Sequence, residues 1–149
     1  MPECMPAQTR NYATCRTNFN VSIRRNASKG DVLVVDDDEI LLPLVGEMIA
    51  RMGFKATIAS NAIEALALLK AHHFDIVLTD FQMPQMDGFA LAERIKKTTP
   101  DLPVVMMTGM RGSKIEDMLK SGLIDEIILK PFSIHAMKRV LEYLMAVPV

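Results

Sequence analysis

From Asp31 onward the chain alternates short apolar runs with amphipathic stretches, and it does so five times. The runs are VLVVD (32–36), KATIA (55–59), FDIVLTD (74–80), LPVVMMT (102–108) and DEIILK (125–130). Each is short and aliphatic without clear alternation, which predicts a strand buried on both faces. Between the runs, apolar residues recur at helical spacing: Leu44, Met48, Ile49 and Met52; Ala62, Leu66 and Leu69; Leu91 and Ile95; Ile115, Met118 and Leu119; Met137, Leu141 and Leu144. Asn61 and Ser133 suit helix N-caps, and Gly53 and Gly122 stand where helices should stop. Pro43 fits only if the first helix begins near Glu39 or Ile40, which leaves it in the opening turn. This strand–helix alternation predicts a doubly wound α/β fold, a five-stranded parallel sheet with helices on both faces.

A length of 149 residues with half of them hydrophobic supports one core and one domain. Residues 1–29 lack apolar periodicity and are rich in Asn, Thr, Arg and Ala, so they are expected to form a disordered extension ahead of a domain over 30–149. Their Arg-rich, acid-poor composition is also that of an organellar transit peptide, although a plain extension is the simpler reading. No basic start followed by an apolar run marks a secretory signal, and nothing approaches the roughly 18 apolar residues of a membrane span. Cys4 and Cys15 have neither a C-x-x-C spacing nor a neighbouring histidine, which reads as two inert thiols in a cytoplasmic compartment.

Charge divides the chain. Residues 1–30 hold five basic residues against Glu3, 5 − 1 = +4, and the remainder holds 12 basic and 17 acidic residues, 12 − 17 = −5. An acidic body is a poor partner for nucleic acid, so no direct DNA binding is expected of it.

In a parallel sheet of this kind all carboxyl ends of the strands lie on one edge, where doubly wound folds bind ligands. That edge would receive Asp36, Asp37 and Asp38 from the first strand, Asp80 from the third, Thr108 from the fourth and Lys130 from the fifth. Two like charges about 4 Å apart repel by roughly 4 kcal/mol at an effective dielectric near 20, so such acids need a neutralising partner. Carboxylates with a backbone carbonyl and water form an oxygen-only shell that suits Mg2+ or Mn2+ rather than zinc. An aspartate there can act as a nucleophile toward phosphorus and form an acyl phosphate. Lys130 could then pair with phosphoryl oxygens, and Thr108 could donate a hydrogen bond to them. Crowding of like charges should push at least one of Asp36, Asp37 and Asp80 above its ordinary pKa.

The segments VLVVDDD, DIVLTDFQMPQMDG, LPVVMMTG and ILKPF, in that order, resemble the receiver domain of two-component response regulators over residues 31–146. The resemblance implies a flavodoxin-like fold with strand order 2-1-3-4-5, and a stand-alone signalling module similar to chemotaxis regulators rather than an enzyme. It makes Asp80 the phosphoacceptor, Asp37 a direct metal ligand and Asp36 a metal-site acid acting through water, with the backbone carbonyl of Gln82 completing the protein ligands. Thr108 and Lys130 match the switch hydroxyl and the phosphoryl-binding lysine, and Lys130–Pro131 falls where receivers hold a cis peptide bond. Asp38 is placed as a helix N-cap. The implied partners are a sensor histidine kinase or histidine phosphotransfer protein and a downstream protein target, with the chain a monomer or weak homodimer. Because the sequence stops three residues after the last predicted helix, output is expected through protein contact.

Two positions depart from the family pattern. Ile127 stands where receivers carry an aromatic switch residue, and Gly109 follows the threonine in a loop, TGMRGSK, expected to be mobile. The competing enzyme reading is a Mg2+-dependent aspartyl phosphohydrolase of the haloacid-dehalogenase kind, with Asp36 as nucleophile and Asp38 as acid/base; a third reading is a receiver-like partner-binding domain that is never phosphorylated. His72, His73 and His135 are read as solvated, and Asp87 and Gly88 as a cap or turn residue and a permissive backbone position.

Overall fold

The structure, a computed structural model, describes residues 28–146. The expected extension falls outside the described residues as far as residue 27, and both cysteines fall with it. Lys29 belongs to the fold: its N–H donates to Gly53 O at 2.8 Å and its ammonium pairs with Glu142 at 2.9 Å.

Five strands and five helices alternate: β1 Asp31–Val35, α1 Leu41–Arg51, β2 Lys55–Ala59, α2 Ala62–Ala71, β3 Ile76–Asp80, α3 Gly88–Thr98, β4 Val104–Thr108, α4 Ser113–Lys120, β5 Glu126–Leu129 and α5 Ile134–Ala146. All strand pairings are parallel, in the order 2-1-3-4-5. Period-2 alternation along the strands sends their side chains to two cores. Leu33, Val35, Val77, Val104 and Met106 pack with Leu91, Ile95 and Met118 of α3 and α4. Val32, Val34, Ile76, Leu78, Val105 and Met107 pack with Val45 and Ile49 of α1 and with Met137 and Leu141 of α5.

The expectation that every strand is buried on both faces holds for the central three, since all five residues of β3 and of β4 are buried, as are the last four of β1. It fails at the edges, where Ile58 of β2 and Leu129 of β5 are exposed. An edge strand is covered on one side only, so its apolar run overstates its burial. Leu44 and Leu119 also lie on solvent faces; α1 buries Leu42, Val45 and Ile49 instead. Helical spacing selects a face only when the stripe is narrow, and the first segment, with Leu41, Leu42, Leu44, Val45, Met48 and Ile49, offers more than one apolar stripe; in α4 only Met118 is buried.

The local signals otherwise translate directly. Asn61 Oδ1 accepts from Glu64 N at 2.7 Å, Ser133 Oγ from Ala136 N at 3.1 Å and Asp87 Oδ1 from Ala90 N at 2.8 Å. Pro43 occupies the first turn of α1, where its missing N–H has no intrahelical partner to lose. Among the described residues, no helix is long and apolar enough to cross a membrane.

Candidate functional site

The carboxyl edge of the sheet gathers side chains from four strands. The register that pairs Val35 with Thr79 sets Asp36 beside Asp80, and the one that pairs Thr108 with Leu129 sets Lys130 just beyond β5. Carboxylate oxygens of Asp36, Asp37 and Asp80 lie within 4.8 Å of one another. Asp36 and Asp80 are buried and Asp37 is exposed, so the pocket opens to solvent on the Asp37 side. Lys130 reaches in from the opposite direction: its Nζ donates to Asp80 Oδ1 at 2.7 Å and stands 3.8 Å from Asp36 Oδ2. The second distance is an ionic contact and too long for a hydrogen bond.

Asp36 is the most constrained of the acids. Its Oδ1 accepts the Asp38 N–H at 3.0 Å, while Oδ2 is buried with no hydrogen-bond partner. Burial pushes its pKa above the ordinary aspartate value; the Asp38 N–H opposes that shift, and the charge of Asp80 adds to it. Sequence reasoning gave the direction but put like-charge crowding first, whereas desolvation leads. A buried, unpartnered oxygen beside two further carboxylates is the environment that an oxygen-seeking divalent cation would satisfy, so the residues present fit the expected Mg2+ or Mn2+.

Asp38 is turned away from this pocket. Its Oδ1 accepts from Ile40 N and Leu41 N, both at 3.0 Å, which caps the start of α1 and holds its pKa below the ordinary value. The hydrolase reading needs that carboxyl as its acid/base, whereas the capping bonds hold its Oδ1 on the start of α1. Gln82 lies on the exposed loop two residues after Asp80. Thr108 is buried at the end of β4; its Oγ1 accepts the Met110 N–H at 3.0 Å, and its carbonyl accepts from Lys130 N at 2.8 Å. Ile127 is half-buried against the α3–α4 core. The Lys130–Pro131 peptide is cis.

Gly88 does more than the permissive role read from sequence. A Cβ at this residue would sit 2.3 Å from Asp80 O and 2.8 Å from Met106 Sδ. Its N–H also donates to Phe81 O at 2.8 Å, folding the loop back onto the end of β3. Only a residue without a side chain lets α3 start this close to Asp80. The sequence signal was the Asp87–Gly88 pair itself, which carries no indication that a strand end approaches it. His72 and His73 stay clear of the pocket: His73 pairs with Asp75 at 3.2 Å and His72 packs edge-on to Phe74, both at the other end of the sheet, while His135 is exposed in the first turn of α5.

A parallel sheet in 2-1-3-4-5 order, with its polar residues collected where the strand order reverses, defines the flavodoxin-like class of doubly wound domains. Within that class the chain belongs to the response regulator receiver domain family, whose profile matches residues 32–142. The autoinducer 1 sensor kinase/phosphatase LuxN of Vibrio campbellii is 35% identical over 120 residues, which cover 80% of this chain and 14% of that protein. The chain therefore spans about a seventh of the length of this curated relative. The chemotaxis protein CheY4 of Vibrio cholerae shares the fold with a TM-score of 0.74 at 24% identity, over 79% of this chain and 99% of that one. The receiver domain of the Francisella response regulator 1452 aligns with a TM-score of 0.72 at 29% identity, over 78% of this chain and 96% of that one.

Proposed function

We propose that this receiver domain takes a phosphoryl group onto Asp80 in a Mg2+-dependent reaction with a partner phosphohistidine, and that the phosphorylated form presents a changed protein-binding surface. The observation that carries this reading is the geometry around Asp80: an ammonium 2.7 Å from one carboxylate oxygen, with two further acids within 4.8 Å. Asp36, Asp37, Asp80 and the main-chain carbonyl of Gln82 would hold the cation. When bound, it supplies positive charge that neutralises the acids and the incoming phosphoryl oxygens.

The residues divide the work. A carboxylate oxygen of Asp80 attacks phosphorus, the P–N bond of the donor histidine breaks, and its electron pair returns to the imidazole nitrogen. Lys130 shifts from the carboxylate oxygen to a phosphoryl oxygen and balances charge that would otherwise repel Asp36. Thr108 is the nearby hydroxyl donor on β4. Turning it toward the phosphoryl group would draw on the Met110 N–H contact, and so couple the site to the loop leading into α4. Supporting partners are a histidine kinase or histidine phosphotransfer protein as donor and a protein target as acceptor of the signal. The net charge of −5 over residues 31–149 favours protein contact over DNA contact.

Incubation with acetyl phosphate and Mg2+ tests the reading by intact mass. One added phosphoryl group is expected on the wild type and none on Asp80→Asn. Label that persists in Asp80→Asn but vanishes in Asp36→Asn would transfer the nucleophile to β1 and overturn the proposal.

A further inference from the structure

At the edge of the sheet opposite the acid pocket, where β3, β4 and β5 begin, the surface holds a groove of about 600 Å3. Its floor is apolar, with Leu69, Phe74, Leu102 and Leu144 among its lining residues, and its rim carries Asp75, Asp101 and Asp125. Lys96 answers Asp125 at 2.8 Å; the carboxylates of Asp75 and Asp125 both stay partly open to solvent, and Asp101 is exposed. Asp75 also accepts from the Asp31 N–H and pairs with His73.

The chain enters the fold at the lip of this groove. Gly30 sits against two of the lining residues, since a Cβ there would lie 3.0 Å from Met145 Cε and 3.3 Å from Asp75 Oδ2. The segment upstream, residues 1–27, carries Arg10, Arg16, Arg24 and Arg25 against Glu3, a balance of 4 − 1 = +3. Its last stretch reads Val21-Ser22-Ile23-Arg24-Arg25, two apolar residues in alternation followed by two guanidinium groups. An extended chain covers at most about 3.3–3.6 Å per residue, so Arg25 can stand up to roughly 10 Å from Ser28, where the described chain begins.

We propose that residues 21–25 of this chain's own N-terminal segment dock into the groove, with Val21 and Ile23 on its apolar floor and Arg24 and Arg25 against Asp75 and Asp101. Three features converge on that occupant: the point of entry, the sign of the charge and the order of apolar before basic residues. Tethering makes weak contacts sufficient, because a short linker holds the segment at an effective concentration in the millimolar range. The docked segment would lie against Leu144 and Met145 of α5, one turn beyond Glu142, which Lys29 already holds. This inference is independent of the phosphoryl chemistry at the other edge.

Cys4 and Cys15 are the chain's only thiols, so Ser22→Cys in a Cys4→Ser/Cys15→Ser background accepts a nitroxide at one place in the full-length protein. Docking is expected to erase amide NMR signals at Leu69, Leu102 and Leu144, with a diamagnetic label as reference. The loss should survive dilution among unlabelled copies and disappear in Arg24→Glu/Arg25→Glu. Signal loss that is spread evenly over the surface, that centres on Asp37 and Gln82, or that persists after the double charge reversal would overturn the proposal. So would a loss that fades on dilution, because the groove would then take a segment from a second copy. Unlabelled protein gives a separate reading: amide exchange at Leu144 and Met145 should be slower in the wild type than in Arg24→Glu/Arg25→Glu, and equal rates would overturn it.

Discussion

Lys130, just beyond β5, and Asp80, at the end of β3, are joined by a 2.7 Å hydrogen bond that passes the end of β4 between them. The ammonium also faces Asp36 at 3.8 Å, so one cation serves two carboxylates. Removing it should therefore cost more than the loss of one surface ion pair.

Lys130→Ala is expected to destabilise the metal-free protein at pH 7 by about 1–2 kcal/mol, below the figure for fully buried pairs because the lysine is partly exposed. The deficit should shrink toward pH 4, as protonation removes the charges left unpaired. Urea unfolding at both pH values checks this, and an equal deficit at each would show that the lysine acts by packing alone.

Asp36 has a folded pKa raised by burial, so between the unfolded and folded values the native state holds more protons and stability falls as pH rises through that window. Asp36→Asn carries no such charge and should melt above the wild type at pH 7 without divalent cations, with the gain vanishing in acid. Added Mg2+ should reverse the ranking; a ligand at 100 times its Kd stabilises by about 2.7 kcal/mol, and the variant has lost one carboxylate. Circular-dichroism melts with Mg2+ and with chelator decide the matter, and an unchanged ranking would remove Asp36 from the cation site.

Gly88→Ala puts a methyl group against the Asp80 backbone, which cannot swing aside as a side-chain tip does. We expect a loss of about 1–3 kcal/mol together with slower phosphoryl uptake. Gly109→Ala is the control: nothing lies within 4 Å of its Cβ, so its stability should stay within about 1 kcal/mol of wild type. Similar losses from both would place the sensitivity in backbone freedom rather than in close approach.

Asp38→Ala removes the cap of α1 and should lower the melting temperature at neutral pH. Because the folded pKa of Asp38 is depressed, its contribution is present above the unfolded value and is lost as pH falls, so wild type and variant should converge in acid. Phosphoryl uptake should be unaffected. A variant that folds but takes up no phosphoryl group would restore Asp38 to the chemistry.

The parallel sheet and the acid rim were legible in sequence because each depends on local pattern plus one global rule: parallel strands end together, so Asp36, Asp80, Thr108 and Lys130 had to share an edge, whereas the order 2-1-3-4-5 came only with the family resemblance. Caps such as Asn61 and Asp87 were equally legible, being decided within four residues. What escaped depends on which neighbour is missing or near. Ile58 reads as core by its own run, and only the sheet order shows that β2 has one uncovered side. The role of Gly88 and the burial-led shift of Asp36 both arise from distances between segments remote in the chain, which no periodicity encodes.

Gly30 and Met145 nearly touch, so the folded region is entered and left at adjacent points. A module built this way can be spliced into a host polypeptide at a single joint, its two connections side by side and its acid rim directed outward. Neighbouring domains could then be exchanged through evolution or engineering without disturbing the acid pocket.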